Sequence, residues 1–289
     1  MTEIDLTRDI SREQRTDTVW TEQVSLIDKI PRSIGMVGLM LAFLALWQGI
    51  HISGLVSQII LPSPAATFGE LIKVGQNLAT GSFMLPALWI TTQEVLRGFA
   101  IAVLIGFALG VLVGETTFGE RVVLPYLVAI DTMQKIAFAP LFISWLGFGI
   151  ASKVALAAFI AIFPIVVGTA AGLASSDHNA RMLFKTMGAT RWQTLWKMKL
   201  PTGLPHFFTG LKIGAVAVMA GAITGEFLGG GKGFGELIRV AASQLQTARV
   251  FALIIYLSIL GLGLFGIVSW LQRTIVFWQK TDSEQSKNS

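Results

Sequence analysis

Six apolar runs, each about as long as the hydrocarbon core of a bilayer is thick, restrict this chain to one broad class of fold. They lie near Ile34–Ile52, Val95–Val113, Leu124–Trp145, Lys153–Ala174, Phe207–Leu228 and Val250–Leu271. A helix rises about 1.5 Å per residue, so about 20 residues cross a layer roughly 30 Å thick. Hydrophobic residues make up 53% of the chain and charged residues 13%, which sets aside a soluble globular domain. Outside the tails no polar block is long enough to build a second core. The expected fold is therefore all-α, a polytopic membrane protein with six transmembrane helices. Residues 1–31 form a tail and an interfacial helix, 32–278 the membrane domain, and 279–289 a second tail.

Charge decides the orientation. A net charge of +5 would suggest nucleic acid for a soluble protein, but here the basic residues flank the apolar runs, so no nucleic-acid partner is expected. With the N-terminus inside, the inner segments hold Arg8, Arg12, Arg15, Lys29, Arg32, Arg121, Arg181, Lys185, Arg191, Lys197, Lys199, Arg273, Lys280 and Lys287. The outer ones hold Lys73, Lys153, Lys232, Arg239 and Arg249. That bias places both termini in the cytoplasm. Trp20, Val24 and Ile27 share one face of a segment expected to lie along the inner interface. The first apolar run follows acidic residues and lacks a small-residue cleavage site, so it is expected to remain as a span.

The most basic internal loop, Ser175 to Pro205, reads as an amphipathic hairpin. Ser176 or Asp177 can cap a short helix whose residues Ala180, Leu183, Phe184 and Met187 fall on one face. Gly188 supplies a left-handed stop. Thr190 can then cap a second helix carrying Trp192, Leu195 and Trp196, which Pro201 and Pro205 are expected to end. Such a ridge must be buried against the membrane surface or another protein.

Gly188, Met198 and the pair Leu200-Pro201 resemble the glycine, isoleucine and Leu-Pro of the EAA loop, which marks permease subunits of binding-protein-dependent ABC importers. At the Glu-Ala-Ala positions this chain has Met182, Leu183 and Phe184. The segments LPSP after the first span and GKGFGELI after the fifth resemble the nitrate, sulfonate, taurine and pyrimidine-precursor branch, and the similarity runs from about Trp47 to Arg273. The resemblance implies a MetI-like permease fold with a cytoplasmic coupling loop at 175–205. Ala180, Leu183, Phe184, Met187, Gly188, Ala189, Leu200 and Pro201 would dock on a partner ATPase. It also implies a solute-binding protein outside, a second permease copy in a homodimer, and residence in the bacterial inner membrane. No cofactor is expected on this chain, with ATP and magnesium on the ATPase. The solute would be small and anionic or heteroaromatic.

The glycines at 229–233 do not make a phosphate loop, because Gly233 follows Lys232 where a Ser or Thr is needed to reach magnesium. If ATP drives transport, another chain must bind it, so the protein is not itself expected to be an enzyme. No H-E-x-x-H spacing joins His51, His178 and His206, so no metal is expected. Charges inside spans are costly, on the order of 2.5–3.5 kcal/mol each at a helix centre, and mark pathways or internal pairs. Asp131 and Lys135 stand at i and i+4 with Gln134 beside them; the stretch from Gln134 to Leu141 resembles the family's Pro-Lys-x-Ala-x-x-Pro-Leu, with glutamine in place of the first proline. Glu226 stands where the family commonly has an acid, gating the path or facing water. Asp131, Gln134, Lys135 and Glu226 are thus the pathway candidates, while Glu94, Arg97 and Lys212 read as anchors at span ends. Glycines at four-residue spacing, Gly106-Gly110-Gly114 and Gly221-Gly225-Gly229, fit either internal helix packing or a dimer seam. An ion- or proton-coupled secondary transporter is the alternative, served by Asp131 alone.

Overall fold

The computed structural model describes residues 31–57 and 59–278; the expected tails and the interfacial helix at Trp20–Ile27 fall outside that range. The chain divides into two units, one ending at Val56 and one beginning at Ser57. The described residues of the first include one helix, α1 (Arg32–Ile52). Leu39, Met40 and Leu41 are exposed, while Trp47 and Ile50 further along are half-buried.

The second unit opens with α2 (Pro64–Ala79), started by the Ser63 hydroxyl accepting from the Ala66 N–H at 3.1 Å and by proline in its first turn. Helix α3 (Met84–Glu115) has 32 residues and so spans about 48 Å. It starts well before the expected Val95, which carries Glu94 from a span end into the body of the helix. A wide π-helical turn, Gly119–Val123, leads into α4 (Leu124–Thr132), and a short 3-10 turn, Lys135–Phe138, leads into α5 (Ala139–Leu146). Next come α6 (Ile150–Ala174), α7 (His178–Thr186) and α8 (Arg191–Thr194). A second π-helical turn, Leu195–Lys199, joins α8 to α9 (Leu200–Gly229), followed by α10 (Phe234–Ser243) and α11 (Thr247–Ile275).

Five helical stretches are long and apolar enough to cross a bilayer, and the α4–α5 pair makes a sixth span if taken as one. Here the expectation of a continuous third span is corrected: its two parts meet at 90°. Met133 is extended, Gln134 turns away from helix, and the lost helical bonds are partly replaced by Met133 N–H to Ile130 O and Ala137 N–H to Gln134 O. Packing holds the bend. Phe138 and Phe142 both stack on Phe159 of α6, with ring centroids 5.3 and 5.5 Å apart.

The centre of the bundle is α6, held between α3 and α9 by backbone approach that only glycine allows. A methyl at Gly172 would stand 2.5 Å from the carbonyl oxygen of Gly203, and one at Gly168 2.7 Å from the Cα of Gly210. On the other flank a methyl at Gly98 would stand 2.9 Å from the Ala157 side chain and one at Gly106 2.9 Å from that of Ile165. The four-residue glycine ridges therefore serve packing within this chain: Gly106, Gly110 and Gly114 face α6, as do Gly221 and Gly225. Apolar burial gives no driving force between helices in lipid, so dispersion at these close contacts is what binds them. Helix α11 completes the unit, with Tyr256 donating to the Leu71 carbonyl of α2 at 3.2 Å.

Candidate coupling hairpin and polar cavities

The hairpin is built as its residue types require. The Asp177 carboxylate accepts from the Ala180 N–H at 3.2 Å and caps α7, while Ser176 turns its hydroxyl back to the Leu173 carbonyl. Gly188 takes φ +72 and ends the first arm. Thr190 and Gln193 form a reciprocal capping box on α8. The second arm is a correction. Pro201 and Pro205 do not end it; from Arg191 the chain runs on to Gly229 as a 39-residue helical stretch. The wide turn at Leu195–Lys199 shifts the bonding ladder, so the absent N–H of Pro201 falls at the join, in the first turn of α9. The second arm and the transmembrane helix are consequently one element.

Along the outer edge of α7, Met182, Leu183 and Met187 are 58%, 57% and 75% exposed, while Ala180 and Phe184 are half-buried. Gly188 is exposed at the tip; Ala189, Leu200 and Pro201 are half-buried behind it. Trp192 and Trp196 are exposed while Leu195 and Met198 turn into the core. Lys199 donates to both oxygens of Glu115, at 2.8 and 2.9 Å, fastening the base of the lever to the end of α3.

Asp131 and Lys135 form an ion pair that bridges the bend between α4 and the 3-10 turn. Both side chains are about three-quarters buried and line a cavity of about 530 Å³ between the bend, α6 and α9. The Lys135 ammonium lies 5.9 Å from the centre of the Phe163 ring. Pro164, inside α6, and His206 and Thr209 of α9 also line it. Gln134 is exposed at the bend and is not part of that wall. Glu226 is elsewhere, at the end of the bundle opposite the hairpin.

Glu226 is fully buried, which excludes a water-facing role. It accepts from the Thr91 hydroxyl at 2.6 Å and from the Gly235 N–H at 2.5 Å, and Thr91 in turn accepts from the Phe234 N–H at 2.8 Å. Three elements, α3, α9 and the start of α10, are thereby clasped, with the carboxylate at the positive end of α10. Any side chain at Gly233 would collide with this carboxylate. Next to the clasp, buried Glu94 pairs with buried Lys153 at 3.3 Å, and Lys153 also donates to the Lys232 carbonyl of the glycine turn at 3.3 Å. Arg97, grouped with Glu94 as an anchor, is exposed.

Glu94, Thr91, Lys153 and the Glu115–Lys199 pair were not singled out for these roles by the sequence. A signal exists for two of them. The small-residue ridge of α3 through Gly98, Ala102, Gly106 and Gly110 steps back by four to Glu94, and the α6 ridge through Ala157 and Ala161 steps back to Lys153. Among the described residues no group of three or more His, Asp or Glu could hold a metal.

A bundle of apolar helices packed on glycine, with a capped two-helix lever continuous with a spanning helix, defines a multi-pass transport subunit. The chain belongs to the family described as the inner membrane component of binding-protein-dependent transport systems, whose model matches residues 102–276. It is 35% identical over 221 residues to the formylaminopyrimidine transport permease protein ThiX of Halalkalibacterium halodurans, covering 76% of this chain and 86% of that one. It is 34% identical over 248 residues to the riboflavin transport system permease protein RibX of Chloroflexus aurantiacus, covering 86% and 91%. It is 27% identical over 247 residues to the taurine transport system permease protein TauC of Escherichia coli, covering 84% and 88%. The fold is that of the inward-facing MetNI methionine ABC transporter permease, with a TM-score of 0.58 at 17% identity over 66% of this chain and 95% of that one. The protein is an ABC importer permease, a non-enzymatic transport subunit that works with a separate ATPase and a solute-binding protein.

Proposed function

We propose that ATP-driven closure of the ATPase subunits pushes on the hairpin at 175–205 and tilts α9 with it, switching access from one side of the membrane to the other. The observation that carries this reading is the exposed ridge Met182-Leu183-Met187 on the first arm of a hairpin whose second arm, from Arg191, runs without a break into a spanning helix. Rigid-body motion follows from the packing: α3, α6 and α9 meet backbone to backbone and cannot slide without losing those contacts. Ala180, Leu183, Phe184, Met187, Gly188 and Ala189 form the docking edge, with Leu200 and Pro201 at the base of the lever. ATP and magnesium belong to the ATPase chain. The hairpin and both termini lie on the cytoplasmic side, as the basic residues favour, and two copies of the chain pair around the path.

In this reading Asp131 and Lys135 meet the solute and Gln134 sets the bend that presents them. Glu226 serves the path by holding α10 to the bundle. Phe184→Asp tests the docking role: we expect normal insertion in the membrane with loss of ATPase co-purification, and unchanged co-purification would contradict it.

A further inference from the structure

The charges lining two polar cavities among the described residues bear on what the chain carries. The cavity at the bend contains one cation, Lys135, and its ammonium is already paired with Asp131. Beyond His206 and Thr209 the walls are apolar, with Ile160, Phe163, Val167 and Ile213 prominent. The second cavity, of about 410 Å³ at the other end of the bundle, repeats the arrangement: its buried Lys153 is paired with Glu94, and its remaining cation, Lys232, is exposed.

An oxyanion leaving water needs unpaired cations or several converging N–H donors. At the bend it would meet a carboxylate beside the only ammonium, so its attraction to Lys135 is offset by repulsion from Asp131. A neutral ring with a hydrogen-bond acceptor next to a donor suits the same pair: the acceptor takes a bond from Lys135 and the donor gives one to Asp131. Its flat face can lie on the Phe163 ring, which an oxyanion cannot use. The volume, about 530 Å³, is that of a site for an organic molecule rather than a three- or four-atom ion.

We infer that the Asp131–Lys135 cavity selects uncharged planar heterocycles with an amide-like edge and rejects oxyanions such as nitrate or sulfonate. This rests on the reading that the cavity belongs to the transport path. The ion pair then acts as a specificity element: Asp131 both holds the donor of the ring and cancels the charge that would attract an anion.

The test uses the intact permease–ATPase complex in lipid nanodiscs, with uracil, cytosine and lumazine as neutral probes and nitrate and methanesulfonate as oxyanions at constant ionic strength. Saturable shifts of the thermal unfolding midpoint report binding. At least one heterocycle should bind the wild type and neither oxyanion should. Asp131→Asn should weaken heterocycle binding at least tenfold and admit an oxyanion; Lys135→Met should weaken the heterocycle without that gain. Oxyanion binding by the wild type, silence from all three heterocycles, or an unchanged preference in Asp131→Asn would overturn the inference. ATPase co-purification, followed in the same samples, keeps a failure of this inference distinct from a failure of the importer reading.

Discussion

Lys199 grips both carboxylate oxygens of Glu115, and in doing so ties the base of the hairpin lever to the end of a helix 84 residues earlier in the chain. The two side chains are 17% and 21% exposed, so solvent only partly screens the pair, and a bidentate charge-assisted contact of this kind contributes about 1–2 kcal/mol. Glu115→Gln or Lys199→Met should leave the complex assembled while lowering solute transported per ATP hydrolysed. The exchange Glu115→Lys with Lys199→Glu should recover part of the loss. A pair with no coupling role would show equal ratios in all four proteins.

At the opposite end, Glu226 predicts a graded series. Glu226→Ala strands the Gly235 N–H in a buried site and leaves the Thr91 hydroxyl donating only to the Ala87 carbonyl at 3.3 Å, and should cost about 1–3 kcal/mol. Glu226→Gln keeps the shape and one acceptor, so it should lose less. Denaturation in detergent, read by intrinsic tryptophan fluorescence, ranks them; equal stability of the alanine variant and wild type would remove the clasp from the account.

The Glu94–Lys153 pair should behave non-additively. Lys153→Met alone leaves a buried carboxylate unpaired and should destabilise by about 3–5 kcal/mol, whereas adding Glu94→Gln removes the stranded charge and should restore most of it. Additive losses in the double-mutant cycle would show that the two side chains do not act as a pair.

Glycine substitutions should split by position. Gly203→Val drives a side chain into the backbone of Gly172, which lies 2.6 Å from where its Cβ would stand, and should cost more than about 3 kcal/mol and abolish accumulation. Gly263→Ala, in a helix with nothing within 4 Å, should be neutral or stabilise by up to about 1 kcal/mol. Expression followed by size-exclusion profiles separates the two.

Much of this was legible in the sequence because it is local. Asp177, Gly188 and Thr190 name the hairpin by capping chemistry alone. The bend at Met133–Gln134 was not, because no glycine or proline stands at the break; it is held by Phe159, a contact from another helix. Nor was the passage of the helix through Pro201, where a wide turn absorbs the missing donor. Hydropathy windows stop where charge begins, so Glu94 and Lys153 were left at span edges. Only the facing of two small-residue ridges shows that each neutralises the other.

In the proposed mechanism a partner drives the hairpin from the cytoplasmic side. The chain has no cysteine, so Met187→Cys provides a single thiol on the exposed ridge. Its labelling by a membrane-impermeant maleimide is the most direct measurement. Reaction is expected in inside-out vesicles stripped of ATPase, with protection once purified ATPase is added back, and no reaction in intact cells. Labelling in intact cells, or labelling in vesicles that the ATPase leaves unchanged, would contradict it.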